Sequence, residues 1–193
     1  KRLNRLGAPF ETYSFNDIPK ISDFDRYKFL IFSVPLEITP EKAAILEQYV
    51  LNNNRTVLWL YAPGISDGKS LDTGRVRQWA GVDYGTEGLS VIQMSGWTSA
   101  YLHNPVELSS GMLKELAINA GVHIYCNEEQ PVFASGSLIA IHTSSGGRQQ
   151  INLPDGCKRI TELFSERIAA ENTDTFYWNF ASPDTILLEI SNK

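Results

Sequence analysis

Apolar and polar positions change rhythm once along this chain, near residues 127–131. Upstream, apolar runs alternate with stretches of helical spacing; downstream, short segments show period two. Lys28–Val34 (KFLIFSV) is almost unbroken apolar, the pattern of a parallel strand covered on both faces. In ITPEKAAILEQYVLNNN, Ala43, Leu46 and Val50 recur at helical spacing, and Ile45 and Tyr49 widen the apolar stripe. Thr39 is placed to cap this helix, Pro40 takes its first position, and Glu41 meets the positive end of its dipole. Asn52, Asn53 and Asn54 stop it, and Thr56–Ala62 follows as a second buried strand. This strand–helix–strand unit predicts a right-handed parallel crossover.

The rest of the first half extends the alternation. Phe10–Phe15 reads as a short strand ending at Asn16 and Asp17. Ser70–Ala80 reads as a helix closed by Gly81, and Ser109 or Ser110 caps another through Ala120, ended by Gly121. Val122–Cys126 is a further strand. Residues 82–108 are irregular, and are expected to be a functional loop or short strands outside the main sheet. Parallel strands separated by helices predict a doubly wound α/β sheet. Beyond residue 130 the helical signal vanishes, and short strands are punctuated by SSGG, PDG, ENTD and ASPD. Phe176, Trp178 and Phe180 share one face, as do Ile186, Leu188 and Ile190, so this half predicts antiparallel β with one side buried. The expected division is an α/β domain over 1–128 and an antiparallel β domain over 129–193. No internal repeat is visible.

Composition narrows the function classes. With 193 residues, 42% of them hydrophobic and 20% charged, the chain can bury a substantial core. Its net charge is −5 and its 17 Lys and Arg are scattered, which argues against a nucleic-acid partner. No apolar run approaches the roughly 20 residues of a membrane-spanning helix. The chain opens at Lys1 rather than Met, so the lack of a secretory signal says little about compartment. Cys126 and Cys157 lack the paired spacing of a zinc or redox site, and Cys126, ending an apolar run, is expected to be a buried inert thiol. His103, His123 and His142 never fall four residues apart, so no metal site and no cofactor are expected. Asn54-Arg55-Thr56 matches a glycosylation acceptor but opens a buried strand, which discounts it.

The segments GAPFETYSFNDI, YKFLIFSVPLEITPEKAAILEQYV, RTVLWLYAPGISDG, LKELAINAGVHIYCN and SLIAIHTSSGGRQQINLP, in this order and spacing, carry a resemblance over nearly the whole chain. The series resembles the C-terminal region of large bacterial glycoside hydrolases of the β-galactosidase type. There an amidotransferase-like α/β domain, called the trimerisation domain, precedes a small β domain. The resemblance implies a flavodoxin-like (class I amidotransferase-like) parallel sheet with helices on both faces, followed by a small antiparallel β domain. It further implies a non-catalytic accessory role in subunit association, with an upstream catalytic domain of the same protein and further copies of the chain as partners. The sequence leaves the compartment unknown, and the resemblance slightly favours a periplasmic or extracellular location over a cytoplasmic one. The catalytic carboxylates would sit in an upstream barrel, which takes about 250 residues and cannot fit here.

Class I amidotransferases carry a nucleophilic Cys on a tight turn after a strand. The matching turn here is Ala62, Pro63 and Gly64, a degenerate nucleophile elbow without a nucleophile. Ser66 lies nearby on a Gly-Ile-Ser-Asp-Gly turn, and an independent amidotransferase-like hydrolase is the least favoured reading. Glycoside hydrolysis needs two carboxyls about 5 to 10 Å apart, and Asp67, Asp72, Asp83, Glu87 and Glu107 are expected to be solvated loop groups instead. No residue is assigned a catalytic role. The alternative function is a carbohydrate-binding module that stacks a sugar on Tyr84, Trp97 and Tyr101, with Tyr177 and Trp178 as a second group. Against it stands a structural use of Trp97 and Trp178 in the core or domain seam.

A flavodoxin-like sheet has strand order 2-1-3-4-5. In that scheme Phe10–Phe15 is strand two, and Lys28–Val34, Thr56–Ala62 and Val122–Cys126 are strands three, four and five. The central first strand would then precede Lys1 or come from another chain. Direct pairing of Thr12–Phe15 with Phe29–Phe32 in one sheet would refute this.

Overall fold

A computed structural model describes residues 2–156 and 159–191, leaving Cys157 outside the described residues. The chain forms two compact units, one of residues 12–122 and one of residues 1–11 with 123–193. This departs from the expected division at 128. The reason is local hydrogen bonding: Tyr125 N donates to Gly7 O at 2.8 Å, and Asn152 N donates to Tyr125 O at 2.8 Å. Val122–Cys126 is therefore not a strand of the parallel sheet. Among the described residues it forms one isolated bridge, from Cys126 to Ile151, rather than a ladder.

The unit over 12–122 holds a four-stranded sheet. Its strands are β1 (Phe29–Ser33), β2 (Arg55–Leu60), β3 (Leu89–Gln93) and β4 (Trp97–Leu102), ordered β1-β2-β4-β3. β1, β2 and β4 run parallel, and β3 closes the sheet antiparallel to β4. Among the described residues Phe10–Phe15 joins no ladder and β1 pairs only with β2; the backbone passes into a 3-10 helix at Phe15–Lys20. Residues 82–108 are not outside the sheet, because β4 lies within it. Thr98 and Ser99 interrupt the apolar pattern of β4 and hide it in the sequence. The structure accommodates Ser99 by letting its buried hydroxyl donate to Ala80 O at 2.7 Å.

Helix α1 (Pro40–Ile45) is capped by Thr39, whose Oγ1 accepts from Lys42 N at 3.4 Å, and it continues into a wider π-type turn at Leu46–Val50. α2 (Val76–Ala80) is shorter than expected. Asp72 Oδ1 accepts from Gly74 N at 2.8 Å and starts a 3-10 turn at Thr73–Arg75, so Ser70 and Leu71 stay outside the helix. One apolar cluster joins Leu46 and Val50, α2's Val76, Trp79 and Ala80, and the sheet residues Val57, Trp59, Trp97 and Tyr101. α3 (Ser110–Asn119) begins at Ser109, whose Oγ accepts from Met112 N at 3.0 Å.

The second unit is antiparallel. β5 (Val132–Ser135), β6 (Leu138–Thr143), β8 (Arg159–Glu162), β9 (Arg167–Glu171) and β11 (Asp184–Ser191) form a sheet ordered β5-β6-β11-β8-β9. β7 (Gly147–Asn152) pairs with β10 (Thr175–Phe180). Phe176, Phe180, Ile186 and Leu188 are buried in its core, and Trp178 and Ile190 pack against them half-buried. The chain is thus a mixed α/β protein with one largely parallel and one antiparallel part.

Candidate functional site

Ligands of open α/β sheets bind beyond the carboxyl ends of the parallel strands. In this chain β2 runs out into Tyr61 and β4 into His103. Tyr61 N still donates to Leu102 O at 3.0 Å, but Tyr61 itself has φ +74°, an uncommon conformation for a residue with a side chain. The turn that follows is structural. Ala62, Pro63 and Gly64 are buried, Gly64 N donates to Pro35 O at 2.9 Å, and Gly64 has φ +64°. A Cβ at Gly64 would lie 2.5 Å from Trp79 Nε1, so only glycine fits. Ser66 is also held in the architecture: its N donates to Leu36 O and its O accepts from Ile38 N, both at 2.9 Å. Its hydroxyl accepts from Gly68 N at 3.1 Å.

Three half-exposed rings gather at this end of the sheet. Tyr61 and His103 lie 5.3 Å apart between centroids, Tyr84 meets His103 edge-on at 4.8 Å, and Tyr61 meets Tyr84 edge-on at 6.1 Å. The Tyr61 and Tyr84 hydroxyls are 3.3 Å apart. That hydrogen bond, with burial and the neighbouring phenol behind it, raises the Tyr84 pKa above its ordinary value. Beneath them Tyr101 OH contacts His103 Nδ1 at 3.1 Å, and burial pushes the Tyr101 phenol up.

The structure regroups the residues singled out as sugar contacts. Tyr84 remains half-exposed, but Trp97 is 5% exposed and Tyr101 0%. Both lie on the β4 face that packs against α1 and α2, so neither offers a ring to a sugar. The rings that stand beside Tyr84 are those of Tyr61 and His103. Sequence reading missed these two, although each directly follows a parallel strand. The second group splits as well. Trp178 packs against the β core, whereas Tyr177 is exposed under the Arg148 guanidinium, 4.2 Å from its ring.

Four of the loop carboxylates, Asp67, Asp72, Asp83 and Glu107, have local partners. Asp67 accepts from Ser70 N and Lys69 N, each at 2.9 Å, and these amides together with Arg75 hold its carboxyl below the usual range. Asp83 pairs with Arg77 at 3.0 Å, and Glu107 accepts from Asn104 Nδ2 at 2.9 Å. Cys126 is buried, with its thiol 3.1 Å from Glu128 Oε2. Among the described residues, no group of three or more His, Cys, Asp or Glu is placed to hold a metal ion. No described helix is long and apolar enough to cross a membrane.

No protein-family profile matches the chain, and no curated protein matches its sequence. Solved structures do match its fold. The crystal structure of β-galactosidase from Bacillus circulans sp. alkalophilus aligns with 98% of this chain at a TM-score of 0.66 and 13% identity, over 36% of its own length. That of apo exo-carrageenase GH42 from Bacteroides ovatus aligns with 98% of this chain at a TM-score of 0.46 and 14% identity, over 25% of its length. The fold is that of a region of the β-galactosidase, and this chain spans about a third of that protein's length, 36%.

Proposed function

We propose that this chain is a non-catalytic accessory region of a larger glycoside hydrolase-like protein, acting in subunit association beside a catalytic domain of the same polypeptide. The observation that carries the reading is the alignment of 98% of the chain with only 36% of a β-galactosidase. The elbow supports it, since the strained position after β2 holds Tyr61 and the turn beyond it is filled by packing. A flavodoxin-like layout of the trimerisation type, a bacterial origin and a periplasmic or extracellular location belong to the same proposal. Its test has two arms. The chain is expected to leave nitrophenyl glycosides and glutamine unhydrolysed and to self-associate in sedimentation velocity. Turnover abolished by Ser66→Ala, or a strict monomer at high micromolar concentration, would overturn it.

The half-exposed rings of Tyr61, Tyr84 and His103 favour a second reading, a carbohydrate contact at the carboxyl ends of β2 and β4. Sugar C–H faces stack on such rings while hydroxyls meet the phenols and the imidazole. Titration with galactose, followed by side-chain NMR, is expected to shift Tyr84 and His103 signals and to lose the shifts in Tyr84→Ala. Unmoved signals at saturating sugar would refute it.

A further inference from the structure

Gln130 carries an acceptor that its surroundings leave over. The residue lies two positions before β5, is 5% exposed, and turns its Nε2 to Gln149 Oε1 at 2.9 Å. Gln149, on β7, is buried as well. One carbonyl sets the direction of both amides. Gly146 O can only accept, so Gln149 presents its Nε2 there, at 3.2 Å, and its Oε1 is left to face Gln130. Gln130 has to meet that oxygen with its own nitrogen, because a flipped amide would set two oxygens against each other. Gln130 Oε1 is therefore a buried acceptor, and no donor among the described residues meets it. Such groups are uncommon in folded proteins, since they lose their hydrogen bonds to water without a replacement.

Gln130 also lines a cleft of about 280 Å³ in the unit of residues 1–11 and 123–193. A single water takes about 30 Å³, so the space is several times larger than one water needs. It falls just below the roughly 300 Å³ at which sites for drug-sized ligands begin. The lining is polar: Asn4, His142, Ser144 and Ser145 bring amide, imidazole and hydroxyl groups to it. Apart from the imidazole, its only ionisable side chains are Arg5 and Glu129, which pair at 3.0 Å. Their charges cancel, which removes the attraction that would select an anion or a cation. The lining holds no phenyl, phenol or indole ring, so hydrogen bonds rather than stacking set what it can hold. A fitting ligand is neutral, close to a single ring in size, and rich in groups that both donate and accept. Neutral sugars have that character.

We infer that this cleft binds one unit of a neutral sugar, a hydroxyl of which donates to Gln130 Oε1. Its lining shares no residue with the ring group of Tyr61, Tyr84 and His103. Gln130 Oε1 is buried, so the sugar reaches it as exposed rim side chains such as Asn4 turn aside. Proton–nitrogen correlation NMR of the 193-residue chain, titrated with galactose, glucose and mannose, tests the site. At least one of these sugars should shift the Gln130 side-chain amide signal to saturation, and Tyr84→Ala should leave that shift unchanged. Ser144 is exposed and takes no part in the Gln130–Gln149 pair, so Ser144→Trp fills the cleft from its rim and should weaken binding at least about 10-fold. Unmoved backbone signals across β6 and β11 check that this variant keeps its fold. Galacturonate, the charged counterpart of galactose, should bind no more tightly than galactose itself. Signals that stay in place with all three sugars would overturn the inference, as would full affinity in a folded Ser144→Trp variant. A shift lost in Tyr84→Ala would assign the binding to the ring group instead, and a preference of about 10-fold or more for galacturonate would make the site one for anions.

Discussion

Arg55 carries its charge at 1% exposure and donates from all three of its guanidinium nitrogens. Nε reaches Tyr27 O at 3.0 Å, Nη1 reaches Tyr49 O at 2.6 Å and Asn52 Oδ1, and Nη2 reaches Asp25. The Phe24 ring lies 5.0 Å from the guanidinium carbon. One side chain thus ties the approach to β1 and the end of the α1 helix to the start of β2. Arg55→Met should cost about 3 kcal/mol, because two partly buried carbonyls lose their donor. Asp25→Ala should cost about 0.5 kcal/mol, since that carboxylate side chain is 78% exposed and its ion pair is screened. Urea denaturation of both variants checks this, and equal losses would place the stabilisation in the ion pair instead. Glu162 gives a pH signature. Burial pushes its carboxyl up, but hydrogen bonds from Ser165 Oγ at 2.6 Å, Ser165 N at 2.8 Å and Phe164 N at 3.1 Å outweigh it, and the pKa ends below the ordinary 4.5. A depressed folded pKa means stability present above 4.5 and lost as pH falls through the folded value. Glu162→Gln should therefore be less stable than the parent at neutral pH, with the gap closing in acid. A gap constant down to pH of about 2 would contradict the assignment.

At the scale of elements, legibility followed the purity of the pattern. β1 and β2 are continuous apolar runs and were readable, as was α1 from Thr39 and Pro40. β4 was not, because Thr98 and Ser99 look like loop residues until a partner for the hydroxyl is known. That partner is α2: Ser99 Oγ donates to Ala80 O at 2.7 Å at the helix end, just before Gly81 turns the chain at φ +80°. Ser99→Ala should cost about 1 to 2 kcal/mol by leaving the buried carbonyl unpaired. Amide exchange should show the loss as faster opening of α2 and β4, and an unchanged exchange pattern would mean the helix is held by Trp79 and Val76 alone. Phe10–Phe15 failed as a strand for the opposite reason. Nothing among the described residues offers it a ladder.

At the scale of the whole molecule, the first eleven residues belong to the unit that ends the chain. Gly7 has φ +78°, and a Cβ there would lie 2.0 Å from Cys126 O. Arg5 pairs with Glu129 at 3.0 Å in the same region. Gly7→Ala should displace the 124–126 segment and shift amide NMR signals over 123–153, while those of β1, β2 and β4 stay in place. Shifts of equal size in the parallel sheet would show that residues 1–11 belong with the α/β unit.

Sequence alone determined the alternation of a parallel and an antiparallel part, the elements whose faces are uniformly apolar, the Thr39 cap, and an Ala-Pro-Gly turn without Cys. These depend on local spacing, and local spacing is written in the chain. Tertiary structure decided where polar groups are satisfied and which edges stay open. It placed β4 inside the sheet through a hydroxyl bonded to α2, buried Arg55 on carbonyls from 6 and 28 residues away, and drew 123–126 to Gly7. It also left Trp97 and Tyr101 buried and set Tyr61 and His103 beside Tyr84 at the exposed end of the sheet. The reason is common to all four. A hydrogen-bond partner or a covering surface far along the chain has no period, so only the folded arrangement reveals whether a polar or aromatic residue faces inward or out.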